Sequence, residues 1–259
     1  MISLLRSEWI KLGTIRSPYW CAGLMVVLSV GITGLLAAVI DNVSDISGSP
    51  TTTDPTVIDG TVATVLLVGL NQFAVVVLMI MAVLGITSEY RFATIRESFL
   101  AAPKRPWVLG AKGIVYVAFG FLAMLLLTVV CLAILRVGIG RAVDFGASAV
   151  IHQIWGIPLY SALCVLFALG VGALVRHTAG AISLLLVWML VVESILSAVP
   201  KVSDWFGPLL PFANGSRFLA GATSGDDFHW NSTVSLIYFA VWAVLVFAAG
   251  VFVVDRRDA

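Results

Sequence analysis

The chain has 259 residues, of which 60% are hydrophobic and 11% charged, with a formal net charge of +1 and a mean hydropathy of +1.06. A soluble domain is about 45–50% apolar and about 25% charged, so this chain has too few charges to cover a surface that faces water. The composition therefore excludes a soluble globular protein, a disordered chain and a nucleic-acid-binding protein, which needs a basic face.

The first segment in chain order, residues 1–19, has the pattern of a helix that lies in the membrane surface. Four apolar residues recur at helical spacing: Ile2, Leu5, Trp9 and Leu12. Charged residues flank this stripe, and an amphipathic helix with tryptophan at its border lies in the membrane plane. We expect Ser17-Pro18 to end this helix and turn the chain into a membrane span.

Six runs that follow are long and apolar enough to cross a bilayer, which requires about 20 mostly apolar residues. They are residues 20–40, 62–87, 113–135, 156–175, 180–199 and 234–254. Strands of a membrane barrel alternate apolar and polar residues, whereas these runs are apolar on all sides. The sequence therefore predicts an all-α membrane protein with one transmembrane domain over residues 1–259.

The basic residues predict the orientation of this domain. With the N-terminus inside, most of the 15 Lys and Arg residues fall in the inner segments, and the loop between the first two runs contains none. Basic residues are enriched on the cytoplasmic side of membrane proteins. We therefore expect both termini to be cytoplasmic.

Three polar residues within the runs are candidates for a substrate path or a gate. Glu193 is the formal charge placed well inside a run, where an acid costs about 2.5–3.5 kcal/mol on insertion scales. It is either a substrate contact, a proton site or part of a gate ion pair, or it makes a structural hydrogen bond to a neighbouring helix or to the external segment, through Lys201 or Arg217. Asn71 and Gln72 either line the path or form hydrogen bonds between helices.

The segment between the second and third runs, residues 88–102, predicts a short helix. Thr87 or Ser88 can cap its start and Pro103 ends it. Apolar and basic residues share one face: Phe92, Ile95, Arg96 and Phe99. Such a helix either transmits force from a soluble partner or rests on anionic lipid.

Four stretches resemble ABC-2 type transporter permeases. They are Glu89-Tyr90-Arg91-x-x-Thr94-Ile95-Arg96 with Pro103-Lys104-Arg105 and Lys112; Glu8-Trp9-x-Lys11-Leu12 with Arg16-Ser17-Pro18; Arg176-His177-Thr178-Ala179; and Asp204-Trp205-x-x-Pro208-Leu209-Leu210-Pro211-Phe212. With the six spans, the resemblance covers nearly the whole chain. One departure is Ala93, where such proteins often have glycine.

The resemblance implies a bacterial plasma-membrane exporter of the type V architecture. Residues 88–102 would form a cytoplasmic coupling helix that docks on a separate ATP-binding subunit, present in two copies. Its docking residues would be Glu89, Tyr90, Arg91, Phe92, Thr94, Ile95, Arg96 and Phe99. A second permease chain, identical or different, would complete the substrate path. Residues 201–233 would form an external re-entrant segment with short helices, and the alternative is a loop packed over the bundle.

The chain itself has no enzyme signature. It lacks the Gly-x-x-x-x-Gly-Lys-Ser/Thr phosphate loop, so ATP and Mg would bind to the partner ATPase and this chain would bind no cofactor. His152, His177 and His229 lie in separate segments, and Cys21, Cys131 and Cys164 lie in apolar runs, so no metal site or disulfide is expected.

The resemblance therefore implies export of a lipophilic or amphipathic substrate, such as a drug, a peptide or a lipid-linked molecule, as in multidrug resistance. Two alternatives remain. One is a secondary carrier driven by ions, which usually shows internal repeats and several polar groups within the membrane. The other is a membrane component that transports nothing, such as a sensor, a resistance protein or a maturation factor with the same fold.

Overall fold

The computed structural model describes residues 2–47, 57–58, 67–92, 105–138, 142–143, 148–198, 207–220 and 230–257. The α-helices within this part of the chain cover Ile2–Thr14, Arg16–Ser47, Val75–Arg91, Arg105–Gly138, Ser148–Val175, Thr178–Leu186, Glu193–Ala198, Pro211–Ala220 and Ser232–Arg257. Two π-helical turns, Gly69–Ala74 and Val187–Val192, and one 3-10 turn, Gly207–Leu209, adjoin them. Val57–Ile58 pairs in parallel with Ala142–Val143.

Six of the helical segments are long and apolar enough to cross a membrane, as the sequence predicts for a multi-pass membrane protein. They are span 1 (Arg16–Val39), span 2 (Gly69–Arg91), span 3 (Pro106–Arg136), span 4 (Val150–Val175), span 5 (Thr178–Leu196) and span 6 (Ser232–Arg256). We call Ile2–Thr14 the N-terminal helix and Pro211–Ala220 the loop helix.

The break between the N-terminal helix and span 1 differs from the predicted one. The N-terminal helix ends at Thr14, and only Ile15 separates it from the next helix, which begins at Arg16. Pro18 therefore lies in the first turn of span 1 rather than between two helices. Proline fits there because the first N–H groups of a helix have no partner within the helix.

The second difference is at the end of span 2, where the sequence predicts a new helix capped by Thr87 or Ser88. The helix instead continues without interruption to Arg91. The Thr87 hydroxyl donates to Val83 O at 2.8 Å, as it does within a continuous helix. Residues 93–104, which include most of the predicted coupling helix, lie outside the described residues.

Spans 2 and 4 form the centre of the bundle, since 61% and 67% of their apolar 18-residue windows are buried, against 22% in spans 1, 5 and 6. Span 4 packs against spans 2, 3 and 6. Its Gly170 contacts the backbone of span 6 so closely that a Cβ there would lie 2.7 Å from Phe247 N. Small residues allow two membrane helices to approach in this way.

A short turn joins span 4 to span 5, as the sequence predicts. Arg176 ends span 4 with a φ of 57°, the left-handed conformation that usually terminates helices. The next residue, His177, starts span 5, because its Nδ1 accepts the N–H of Gly180 at 3.2 Å. The turn lies at the same end of the bundle as the end of span 2, where Thr178 donates to the Thr87 hydroxyl at 2.9 Å.

Candidate functional site

Four charged side chains meet at the end of the bundle where the N-terminal helix lies, which we call the N-terminal face. Lys112 of span 3 donates hydrogen bonds to Glu8 Oε2 at 2.6 Å and to Glu89 Oε1 at 3.0 Å. Lys11 of the N-terminal helix donates to Glu8 Oε1 at 2.7 Å and to Glu89 Oε1 at 2.9 Å. The two acids and two lysines form a closed ring of ion pairs, which we call the charged cluster.

The charged cluster is largely shielded from solvent. The side chains of Lys112 and Glu8 are 4% and 3% exposed, and those of Glu89 and Lys11 are 11% and 37% exposed. The Tyr116 ring, one turn along span 3, has its centre 5.4 Å from Lys112 Nζ. Buried charges are tolerated when they are paired and hydrogen-bonded, and here each carboxylate has two cationic partners. The cluster therefore attaches the N-terminal helix to the ends of spans 2 and 3.

This pairing sets the charge states of Glu8 and Lys11. Burial by itself would raise the pKa of Glu8, but Lys112 and Lys11 outweigh burial through their charges and hydrogen bonds, so this pKa lies below its usual value. Burial by itself would lower the pKa of Lys11, but its bonds to Glu8 and Glu89 raise this pKa above its usual value. Both side chains are therefore charged at neutral pH.

We expect acid to weaken the attachment of the N-terminal helix. A carboxyl group with a lower pKa in the folded state contributes stability that is complete above its unfolded pKa and disappears as the pH falls through its folded pKa. The Tm in detergent should therefore change little from neutral pH to about pH 5 and fall below that. The fall should be shallower in Glu8→Gln. Equal falls in both proteins would assign the acid sensitivity to other groups.

Four of the eight residues predicted to contact an ATPase are described. Glu89 belongs to the charged cluster, and Tyr90 is half-buried beneath the Arg176 guanidinium, whose centre lies 5.0 Å from its ring. Arg91 and Phe92 are exposed, and Phe92 is 69% exposed. The other four lie outside the described residues: Thr94, Ile95, Arg96 and Phe99.

Glu193, the acid within span 5, holds the start of the loop helix. Its carboxylate accepts the backbone N–H groups of Phe212 at 3.1 Å and Ala213 at 2.7 Å. It also accepts the indole N–H of Trp188 at 3.0 Å, and Glu193 is 4% exposed. A carboxylate at a helix N-terminus satisfies N–H groups that have no partner within the helix, and it interacts favourably with the helix dipole. These contacts favour the structural interpretation of Glu193.

Of the two cations that the sequence suggests as partners of Glu193, the structure describes one. Lys201 lies outside the described residues. Arg217, in the loop helix, donates to Trp230 O at 2.7 Å and to Ser235 Oγ at 2.9 Å. Arg217 therefore joins the loop helix to the start of span 6.

Span 4 holds the other end of the loop helix. His152 Nε2 lies 2.8 Å from Phe218 O, and Gln153 Nε2 donates to Leu219 O at 2.7 Å. These carbonyl groups belong to the last turn, where they have no partner within the helix. The loop helix is thus fixed to the bundle at both ends. Within the predicted re-entrant segment 201–233, the structure describes residues 207–220 and 230–233, and the loop helix packs against spans 4 and 6.

A cavity of about 370 Å³ lies between the loop helix and spans 1, 2 and 4, away from the N-terminal face. Asn71 and Gln72 line it, both within the π-helical turn that begins span 2. Such turns occur frequently at functional sites. Of the three residues predicted for a path or gate, two therefore line a cavity, and Glu193 holds the helix that forms one wall of it.

The mutual pairing of the four cluster residues is not predicted from the sequence, although each of them occurs in one of the stretches that resemble ABC-2 permeases. One signal was available. In a chain with 11% charged residues, acids and lysines beside apolar spans need partners, since an unpaired buried charge is strongly destabilising. The partners themselves are up to 104 positions apart, as with Lys112 and Glu8, and no local pattern specifies such a pair.

The chemical groups of the charged cluster and of the contacts around the loop helix are ion pairs and hydrogen-bonding groups. Within the described ranges, no three His, Cys, Asp or Glu side chains are grouped so that they could hold a metal ion. Comparison with models of known protein families finds none that matches the chain, and comparison with curated proteins finds no match either.

Proposed function

We propose that this chain is the permease subunit of an ATP-driven ABC exporter in a bacterial plasma membrane, with the N-terminal face in the cytoplasm. Its six spans and the resemblance of its polar segments to ABC-2 permeases support this assignment. The observation that carries the proposal is the charged cluster. It joins the N-terminal helix and span 3 to Glu89 at the end of span 2, where the segment 88–102 that would dock on an ATPase begins.

The charged cluster gives this segment a rigid base. Removing one partner of a buried ion pair costs about 3–5 kcal/mol, so a displacement of residues 88–102 is transmitted to the attached spans rather than absorbed by separation of the pairs. Arg91 and Phe92 follow Glu89 directly and are exposed, which leaves them available to a soluble partner. Two copies of that partner would bind ATP and Mg and hydrolyse ATP.

A second permease chain would complete the substrate path. In spans 1 and 5 only 22% of the apolar 18-residue window is buried, so they present apolar surface both to lipid and to another chain. The substrate class that fits an apolar bundle is a lipophilic or amphipathic molecule: a drug, a peptide or a lipid-linked compound. The three hydrogen bonds that Glu193 accepts argue against an ion-driven carrier, which needs a carboxylate that exchanges its partner.

We expect the double change Arg91→Glu with Phe92→Ala to abolish co-purification of this chain with the proposed ATPase subunit, and to abolish export. Exposed aromatic and arginine residues often dominate an interface, and losing about 2 kcal/mol weakens binding about 30-fold. The measurement is the amount of ATPase retained on the tagged chain, together with the ATPase activity of the reconstituted complex.

A matched control uses a second exposed arginine–phenylalanine pair. The Arg256 guanidinium lies 4.3 Å from the centre of the Phe252 ring near the end of span 6. The double change Arg256→Glu with Phe252→Ala should leave both readouts unchanged. If no ATPase accompanies the unaltered chain, or if both double variants behave alike, the coupling role is wrong and a component that transports nothing becomes the better assignment.

A further inference from the structure

The charged cluster fixes which side of the N-terminal helix faces away from the bundle. Glu8 and Leu12 are buried, and Glu8 is held there by Lys112 of span 3. The opposite side presents four exposed residues at the spacing of one helix face, which we call the outer face: Arg6, Trp9, Ile10 and Gly13. Rotation of the helix to hide the outer face would break the ion pairs of Glu8, so these residues stay available to a partner.

The outer face continues into the part of span 1 that begins at the membrane surface. Only Ile15 separates the two helices, and the Tyr19 hydroxyl donates a hydrogen bond to Gly13 O at 2.8 Å. Tyr19 and its neighbour Trp20 are exposed. Tyrosine and tryptophan at the end of a span mark the boundary between lipid and water. The hydrogen bond to Gly13 therefore places the outer face at this boundary.

The apolar side chains of the outer face favour lipid as the partner. Trp9 and Ile10 are 55% and 53% exposed, and removal of this apolar area from water is favourable. A helix with such a face lies in the interface, with its apolar side chains at the boundary between headgroups and acyl chains.

The exposed charges beside these apolar side chains are positive. Arg6 and Arg16 are exposed, whereas Glu8, the only acid in residues 2–39 of the sequence, is buried in the charged cluster. Pairing within the cluster thus withdraws the one negative group of this region from the surface. An anionic leaflet attracts each basic residue near it strongly enough to raise binding about fivefold. The charge of this region therefore selects anionic lipid over zwitterionic lipid.

We propose that the outer face, together with Arg16, binds anionic phospholipid in the leaflet at the N-terminal face. Arg6 and Arg16 contact the headgroups, where a guanidinium donates paired hydrogen bonds to phosphate oxygens. Trp9 and Ile10 lie among the first methylene groups of the acyl chains. This binding does not depend on coupling to an ATPase, because its residues belong to this chain alone.

The test compares phosphatidylglycerol with phosphatidylcholine, each carrying a photoreactive diazirine near the top of one acyl chain. The purified chain is placed in nanodiscs of unlabelled phosphatidylcholine with a small amount of one probe. At low salt, phosphatidylglycerol should label residues 2–20 about 25-fold more than phosphatidylcholine does, about fivefold for each arginine. This ratio should fall at high salt, which screens exposed charges. Equal labelling by the two lipids would overturn the proposal and leave the outer face available to a soluble protein.

Charge-removing variants locate the site. Arg6→Gln with Arg16→Gln should bring the ratio of labelling close to one, whereas Arg136→Gln, which changes an exposed arginine at the opposite end of span 3, should leave it unchanged. Each single variant should lower the ratio about fivefold, and these variants provide the test if the double variant does not purify as a single species. A ratio that is the same in all these variants would contradict the assignment of the site to these arginines.

One further variant tests the apolar part of the outer face. Trp9→Ala with Ile10→Ala should lower the labelling of residues 2–20 by both lipids and leave their ratio unchanged, because only the arginines distinguish the two headgroups. If the labelling by both lipids stays at its original level, Trp9 and Ile10 do not lie in the leaflet and the proposed orientation of the helix is wrong.

Discussion

The substitution Lys112→Met should lower the free energy of unfolding by about 3–5 kcal/mol, the range found when one partner of a buried ion pair is removed. Methionine retains the length and apolar stem of lysine, so the change removes the charge and leaves the packing nearly intact. Glu8 and Glu89 would then share Lys11 alone, whose side chain is 37% exposed. Reversible unfolding in mixed detergent micelles, followed by tryptophan fluorescence, would measure this loss.

Two further variants make this result specific to the charged cluster. Arg6→Met removes an exposed positive charge from the N-terminal helix and should change stability by no more than about 0.5 kcal/mol. Adding Glu8→Gln to Lys112→Met should restore part of the lost stability, because the effects of substitutions within one network of contacts are not additive. A loss in Lys112→Met similar to that in Arg6→Met would contradict the stabilising role of the cluster.

The second large effect is expected for Glu193→Leu, which should lower the free energy of unfolding by about 2–3 kcal/mol. Three N–H donors, from Phe212, Ala213 and Trp188, would lose their acceptor, at about 1–3 kcal/mol each when buried. Removing a charge from a span returns part of this loss. Glu193→Gln keeps one acceptor oxygen and should lose about half as much.

Hydrogen exchange distinguishes a positioning role of Glu193 from a substrate contact. If Glu193 holds the loop helix, the backbone amides of Phe212 and Ala213 should lose protection in Glu193→Leu, and export should fall with them. Ser183→Leu, an exposed polar position in the same span, should leave protection unchanged. Unchanged protection in Glu193→Leu with lost export would instead assign Glu193 to the substrate path.

The loop helix shows how far the sequence predicts this part of the fold. Pro208 and Pro211 predict breaks, and Pro211 does begin the loop helix, where proline is favoured. The acid at position 193 could be singled out because a charge in a span is costly. Its partners in the loop helix could not, since they are backbone amides, which every residue except proline carries.

The limits of the spans also show which features the sequence predicts and which it does not. Arg105 and Pro106 begin a helix well before the apolar run at residue 113, because a polar residue can extend a helix beyond the apolar core of a membrane. The hydropathy pattern therefore predicts the number of spans and their approximate centres. It does not predict that Lys112 lies within a helix and turns toward Glu8.

The sequence alone determined the six long apolar helices that the described residues form, because a lipid environment requires each segment to satisfy its own backbone hydrogen bonds over about 20 residues. That requirement is local, so it can be read from the length of each apolar run. Only the tertiary structure decided which charges pair, which helix Glu193 holds and where a cavity remains. These features depend on distances between helices, such as the 3.0 Å that separates Lys112 Nζ from Glu89 Oε1, and such distances arise only when the helices pack.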